Sequence, residues 1–207
     1  MSVILRMRGS ASLIVLVIIC VVLGWYFWPD NGRERPVGVL APDIPVQENL
    51  TAQPVKDYGD YTITGLAKFS MKGRVLSSER YWIDGGSTLV PVDLALGWGK
   101  MSDSAVIDKL KISQRGRFYY WKPKENDYPI PKEDIISSSA NMHLIPATKG
   151  VDKLIKKAVK GDIVEFSGYL ARADGKDGFN WSSSMTRSDA GDGACELVYV
   201  EEFRILP

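Results

Sequence analysis

Eighteen consecutive residues, Ala11 to Trp28, read ASLIVLVIICVVLGWYFW and carry no charge. As a helix rising about 1.5 Å per residue, the run spans about 27 Å, close to the thickness of a thin hydrocarbon core. No water satisfies backbone groups in lipid, so a helix that closes its own hydrogen bonds is expected from 11 to 28. The β-branched residues that weaken helices in water do not prevent one there. Trp25, Tyr26, Phe27 and Trp28 gather at the far end, where rings with one polar edge favour the headgroups, and Pro29 and Asp30 end the span.

Two removable alternatives fit poorly. A cleavable signal peptide needs small residues after its apolar run, and that place holds Gly24, Trp25, Tyr26 and Phe27. A lipoprotein needs a small residue directly before the lipidated cysteine, whereas Cys20 follows Ile18 and Ile19 in mid-span. Cys20 therefore reads as a small apolar side chain in lipid. Arg6 and Arg8 on the N-terminal side are matched by Arg33 and Arg35 beyond the span, and the terminal amine tips the balance. The expected topology puts residues 1–10 in the cytoplasm and the body outside it, in the periplasm.

Residues 29–56 hold Pro29, Pro36, Pro42, Pro45 and Pro54 among glycines and mixed charges. Such proline density opposes helix and central strand, so an extended, partly polyproline stalk is expected. The whole chain has 26 Lys plus Arg and 25 Asp plus Glu, a formal charge of +1, and residues 57–207 are balanced. Nucleic acid is therefore not an expected partner, because that binding rests on phosphate neutralisation. A unit of roughly 150 residues can bury about two thirds of its unfolded surface, enough for one core.

The body alternates between two periods. Met101 to Leu110 predicts a helix of about two turns with Ser102 as N-cap and Met101 packed on Val106. Val151, Leu154, Ile155, Ala158 and Val159 form a helical stripe, with Lys153, Lys156, Lys157 and Lys160 opposite and Gly161 as the stop. That basic face suits the negative end of the helix dipole, and a phosphate or lipid-headgroup site is its functional alternative. Val164, Phe166, Gly168 and Leu170 then alternate as a strand, Asp174 to Gly178 turns, and Phe179, Trp181, Ser183 and Met185 return. Cys195 to Ile205 reads as a closing strand. Further strands are expected at Tyr61–Phe69, Gly73–Trp82, Arg117–Trp121 and Met142–Ile145. The expected class is α+β: a transmembrane helix, then a β-rich domain over 57–207 with two short helices. Its element order is that of the OB-fold, a small Greek-key barrel.

Candidate sites are few. Trp98 between Gly97 and Gly99 either enters the core or forms a stacking platform oriented by Asp93 or Asp103. Gln114 to Trp121 interleaves basic and aromatic residues, but an ordinary strand explains it, with Phe118 and Tyr120 inward and Arg117, Tyr119 and Trp121 outward. Binding candidates are thus Trp98, Asp93, Asp103, Arg117 and Trp121. For catalysis, Cys195 and His143 are the weak candidates, being the body's single cysteine and the chain's single histidine. Asp93 and Asp103 are the other potential acid and base. Ser182 to Ser184 lack a nucleophile elbow, and Asp189 to Gly193 lacks the ligand spacing of a calcium loop. No zinc cluster, P-loop or dinucleotide fingerprint occurs, so no metal or cofactor is expected.

The runs PVDLALGWGKMSD (91–103), ISQRGRFYYW (112–121), NMHLIPA (141–147) and SSSMTRSDAGDGACELVYV (182–200) resemble an uncharacterised group of bacterial single-pass membrane proteins. The resemblance implies a bacterial inner membrane and assigns no activity to any residue. The expected function is a membrane-tethered binding or assembly module engaging a protein partner or cell-wall glycan. The alternative is an extracytoplasmic enzyme, a hydrolase or thiol-dependent, using Cys195 with His143 or Asp93 with Asp103.

Overall fold

A computed structural model of the chain describes residues 13–21, 32–83, 85–186 and 195–207. The chain divides into two units, Met1–Asn31 and Gly32–Pro207. Within the first, residues 13–21 form a helix (α1) with every side chain exposed. The rest of the apolar run, and the expected cytoplasmic segment 1–10, lie outside the described residues. Among the described residues no helix is long and apolar enough to cross a membrane.

The second unit is β-rich with short helices. Its strands are β1 (Val46–Asn49), β2 (Val55–Tyr58), β3 (Tyr61–Arg80), β4 (Val92–Gly97), β5 (Leu110–Arg115), β6 (Phe118–Pro123), β7 (Ser139–Pro146), β8 (Ile163–Gly175), β9 (Asn180–Ser182) and β10 (Glu196–Leu206). Its helices are α2 (Ser104–Ile107), α3 (Lys132–Ser137) and α4 (Lys149–Ile155), with a 3-10 turn at Gly99–Ser102.

β3 organises the sheet. The two strands expected at 61–69 and 73–82 are one twenty-residue strand. It pairs with β8 from Tyr61 to Arg74 and with β4 from Arg74 to Arg80. β4 runs antiparallel to β7, β7 parallel to β10, and β10 antiparallel to β8, so the pairing returns to β3. Register shifts at Gly65/Ala67, Val75/Ser77 and Val200/Glu202 bend the strands enough to close this ring. Its interior holds Phe69, Met71, Val92, Leu94, Leu96, Met142, Leu144, Phe166, Val198 and Phe203, with Val151, Ile155 and Ala158 packed among them. Gly168 fits where the backbone of Tyr199 crosses, since a side chain there would overlap the Tyr199 carbonyl.

All six residues of β4 are buried. Val92, Leu94 and Leu96 face the interior, while Asp93 and Ala95 point outward beneath a second layer made by the β5–β6 hairpin together with Tyr81 and Val90. A strand covered on both faces loses the alternation that announces it, which is why 91–103 reads as an unusual segment.

Several expectations are corrected. The folded unit begins at Gly32, so residues 32–56 are not a spacer. Arg33 N–H donates to the Lys160 carbonyl (2.7 Å), Arg35 Nε to that of Gly161 (3.0 Å), and Gly38 N–H to Asp103 Oδ1 (2.8 Å). β1 and β2 then add to β3 as edge strands, positions that tolerate nearby proline. Ser102 is not an N-cap: Asp103 caps α2, accepting from Ala105 N–H, while Ser102 Oγ accepts from Leu40 and Ala41 N–H (3.1 and 3.0 Å). α2 is one turn, not two. The stripe 151–159 is helical only to Ile155, with Thr148 as N-cap, and Gly161 ends the segment at φ +88°. On β6 the faces are reversed: Tyr119 and Trp121 point inward, Phe118 and Tyr120 outward.

Candidate functional site

The register of three neighbouring strands gathers the polar residues of the outer face. Asp93 on β4 opposes Glu79 on β3 and His143 on β7, and His143 in turn opposes Leu197 on β10. Directly opposed residues share a face, so these side chains project together away from the barrel interior. Asp93 is wholly buried and His143 nearly so, at 0% and 2% exposure.

Arg117 enters this cluster from the β5–β6 hairpin. Gly116 and Arg117 both have positive φ (59° and 68°), the pair of left-handed residues that a two-residue type I′ turn requires. Such a conformation is uncommon for arginine, and the residue is held at its amide, its carbonyl and both terminal nitrogens of the guanidinium. Its Nη1 lies 3.3 Å from Asp93 Oδ1, and its Nη2 donates to the Val90 carbonyl at 3.1 Å. Its N–H donates to Tyr81 Oη, and its carbonyl accepts from Asn141 Nδ2. The guanidinium stands 3.9 Å above the Tyr81 ring and 5.4 Å from that of Trp181. Gln114 Nε2 donates to Asn141 Oδ1 at 2.7 Å, completing the seam between hairpin and sheet.

His143 lies under the Trp181 ring, centroids 4.6 Å apart, with Nδ1 2.9 Å from Asp93 Oδ1. That approach is close in distance but off the angle of a hydrogen bond. The environment also acts on neighbouring acids. Burial, then the Asp93 charge and a hydrogen bond to Asp93, push the Tyr81 phenol up, against a smaller opposing effect of Arg117. Burial, then Asp93, raises the Glu79 carboxyl.

An aspartate beside a histidine makes two of the three members of a hydrolytic triad, but this pair is poorly placed for proton transfer to solvent. Asp93 already faces Arg117, and His143 is sealed by Trp181. Cys195 is half-buried and directly precedes Glu196, which pairs with Met142; it therefore lies on His143's face of the sheet, two residues out of step with it. Ser183 Oγ donates to the Ser184 carbonyl and accepts from Leu197 N–H, bonds that hold β10 rather than activate a nucleophile. The acidic glycine-rich segment 189–193 is outside the described residues, among which no cluster of metal-ligating side chains occurs.

The other candidates are dispersed. Trp98 is buried in the interior at 2% exposure, the default reading of its position, and presents no stacking face. Asp103 lies beyond the opposite end of β4 from Asp93, where the N–H groups of Gly38 and then Ala105 hold its carboxyl below the usual range. Trp121 packs edge-on against Tyr128 at 5.6 Å. Sequence reasoning thus named Asp93, Arg117 and His143 separately and missed Tyr81, Gln114, Asn141 and Trp181.

Beside the cluster, apolar side chains reach solvent. Trp82 and Ile83 follow Tyr81 and are 73% and 96% exposed; Phe118 follows Arg117, and its ring lies 6.5 Å from that of the exposed Tyr120. The Arg117–Tyr81 contact brings these two strips together at one end of the second layer. No protein-family model matches the chain, and no curated protein or solved structure matches it either.

Proposed function

We propose that the chain is a membrane-tethered envelope module whose body binds a protein partner through the apolar tip formed by Trp82, Ile83, Phe118 and Tyr120. The observation that carries this reading is the contrast across the Arg117 cluster. Groups capable of acid–base chemistry are buried and matched with one another, while large apolar side chains beside them stand in solvent. Exposed tryptophan and neighbouring aromatics have the composition of binding hot spots, and Ile83 is an aliphatic group that a sugar face would not require.

The barrel reading supports the same location. Taken in chain order, the ring strands β3, β4, β7, β8 and β10 pair as first–second–third–fifth–fourth–first, with the third and fifth parallel and α4 between the third and fourth. This favours an OB-like barrel, a fold that binds ligands at its first–second and fourth–fifth loops. Trp82 and Ile83 occupy the first of these loops, and Trp181 the second. The apolar run 11–28 serves as the tether in a bacterial inner membrane, with the body in the periplasm. A cell-wall glycan is the second reading, favoured by the exposed Trp82 ring, which can stack on a sugar.

The full-length chain and its Trp82→Ala/Ile83→Ser variant, purified from detergent-solubilised membranes, test the proposal. One co-purifying protein at near-equal stoichiometry, reduced at least tenfold in a folded variant, is the expected result. Equal recovery with both chains would exclude this tip as the interface. Sedimentation with insoluble cell wall that depends on Trp82 would select the glycan.

A further inference from the structure

We infer that the protein partner proposed above presents an acidic segment, received by the solvent face of the β5–β6 hairpin with its apolar end on Trp82 and Ile83; this rests on the tip reading and names the chemistry that binds there. From Lys109 to Lys124 the chain holds six basic residues and no acidic one, in a body whose charges balance overall. Arg117 turns in to Asp93. The other five, Lys109, Lys111, Arg115, Lys122 and Lys124, are exposed.

The hairpin register places those five on one face. Arg115 opposes Phe118, Ser113 opposes Tyr120, and Lys111 opposes Lys122. Lys124 N–H donates to the Lys109 carbonyl at 2.8 Å, which adds a further step to the ladder. These residues project away from Ile112, Tyr119 and Trp121, which pack inward. Successive steps lie about 7 Å apart, so the strip is about 20 Å long, aromatic near the turn and cationic at its base.

Two steps set lysine against lysine, Lys111 with Lys122 and Lys109 with Lys124. Like charges directly opposed on neighbouring strands are destabilising. Among the described residues, no carboxylate forms an ion pair with any of the five cations. The fold gains nothing from this arrangement, whereas an anionic ligand gains at each step.

The ends of the strip select among anions. At the base, the exposed Asp108, Glu125 and Asp127 flank Lys109 and Lys124. At the turn, Arg117 N–H meets Tyr81 Oη, and the exposed Trp82 and Ile83 follow Tyr81. A long polyphosphate would meet carboxylates at one end and an aliphatic surface at the other. A short protein segment with apolar residues beside a run of Asp or Glu satisfies both. Four of the five cations are also lysines, point charges without the fork that grips a phosphate in two places.

Fluorescence anisotropy of the full-length chain in detergent provides the test, with three labelled probes: a peptide of two leucines followed by six glutamates, the same peptide with glutamine for glutamate, and a decathymidylate. The glutamate peptide is expected to bind at least about tenfold tighter than the glutamine peptide, and to lose that margin in 0.5 M salt, where the Debye length is about 4 Å. Lys111→Gln/Lys122→Gln, a surface change, should weaken the glutamate peptide by at least about fivefold and raise Tm by roughly 1–2 °C as the like-charge pair is relieved. Equal affinity for the two peptides would overturn the inference, as would undiminished binding or a lower Tm in the double variant. Tighter binding of the decathymidylate would also overturn it and select nucleic acid. Recovery of the co-purifying protein separates this inference from the tip reading. Loss with Trp82→Ala/Ile83→Ser but not with Lys111→Gln/Lys122→Gln would keep the tip and remove the acidic segment, whereas recovery unaffected by either would remove both.

Discussion

Asp93 and His143 sit directly opposite one another on β4 and β7, and the single carboxylate Asp93 also receives Arg117 from the hairpin above. One buried oxygen, Oδ1, thereby lies within 3.3 Å of both a guanidinium and an imidazole nitrogen. The second layer is locked to the barrel at this point, because Arg117 cannot leave without abandoning Asp93 in a site closed to water.

Asp93→Asn tests that lock. It removes the countercharge while Arg117, only 15% exposed, stays in place. Breaking a buried pair from one side typically costs about 3–5 kcal/mol, since the remaining charge is uncompensated. Urea denaturation at pH 7 should show a midpoint lowered accordingly. A loss below about 1 kcal/mol would mean that Arg117 swings into solvent and that the cluster does not hold the layer.

Glu79 carries the opposite sign of effect. Its carboxyl is raised by burial and by Asp93 beside it, so the folded state holds the proton more tightly than the unfolded one. The group favours folding below its unfolded value of 4.5 and loses that advantage as pH rises through the raised folded value. Above that raised value the Glu79 carboxylate opposes folding. Glu79→Gln should therefore raise Tm, by about 1–3 °C given its partial exposure, with the gain vanishing below pH 4.5. A gain that persists at pH 3.5 would point to something other than charge.

The hairpin offers a test of register. Tyr119 packs with Ile112 and Trp121 under the second layer, donating its hydroxyl to Ser139 Oγ at 3.3 Å, whereas Tyr120 is 52% exposed. Tyr119→Ala should cost about 2–3 kcal/mol of stability, and Tyr120→Ala less than about 0.5 kcal/mol. Binding at the apolar tip should respond in the reverse order. Similar losses from both substitutions would contradict the observed orientation of β6.

This reversal marks the limit of what the sequence carries. Val164 to Leu170 alternate cleanly, and β8 lies where that pattern predicts, whereas in β10 the shift at Val200/Glu202 changes the phase, so that Phe203 joins Val198 and Val200 in the interior while Leu197 faces outward. In Arg117 to Trp121 aromatics occupy successive positions, so periodicity alone does not tell which face is apolar, and a one-residue error exchanges the faces. β4 was hidden for another reason, burial on both sides. β1 and β2 are held by pairing with β3, an attachment that proline content cannot reveal. Asp93, Arg117 and His143 were visible as residues, but their meeting depends on the β4–β7 register and on a turn 24 residues after Asp93. No local pattern encodes either.

Ser102 distinguishes a local role from a long-range one. As a helix cap it would satisfy one nearby amide, and its loss would cost about 1 kcal/mol. Its hydroxyl instead accepts from Leu40 and Ala41 and donates to the Gly99 carbonyl, binding to the core the strap formed by residues 33–41, whose Ala41 lies 61 residues away in sequence. Ser102→Ala should leave two amides without a partner, that of Ala41 deep in the protein, and lower stability by about 2–4 kcal/mol. The same substitution should speed hydrogen exchange at Leu40 and Ala41 more than at Ala105, whose amide is held by Asp103. The Asp103 carboxyl, lowered first by Gly38 N–H, contributes stability above its unfolded value of 3.8 that is lost as pH falls through the depressed folded value. Acidification should therefore loosen the strap at Gly38 in the parent chain, and earlier in Ser102→Ala. Unchanged exchange at Leu40 and Ala41 in the variant would show that the strap is held without the serine.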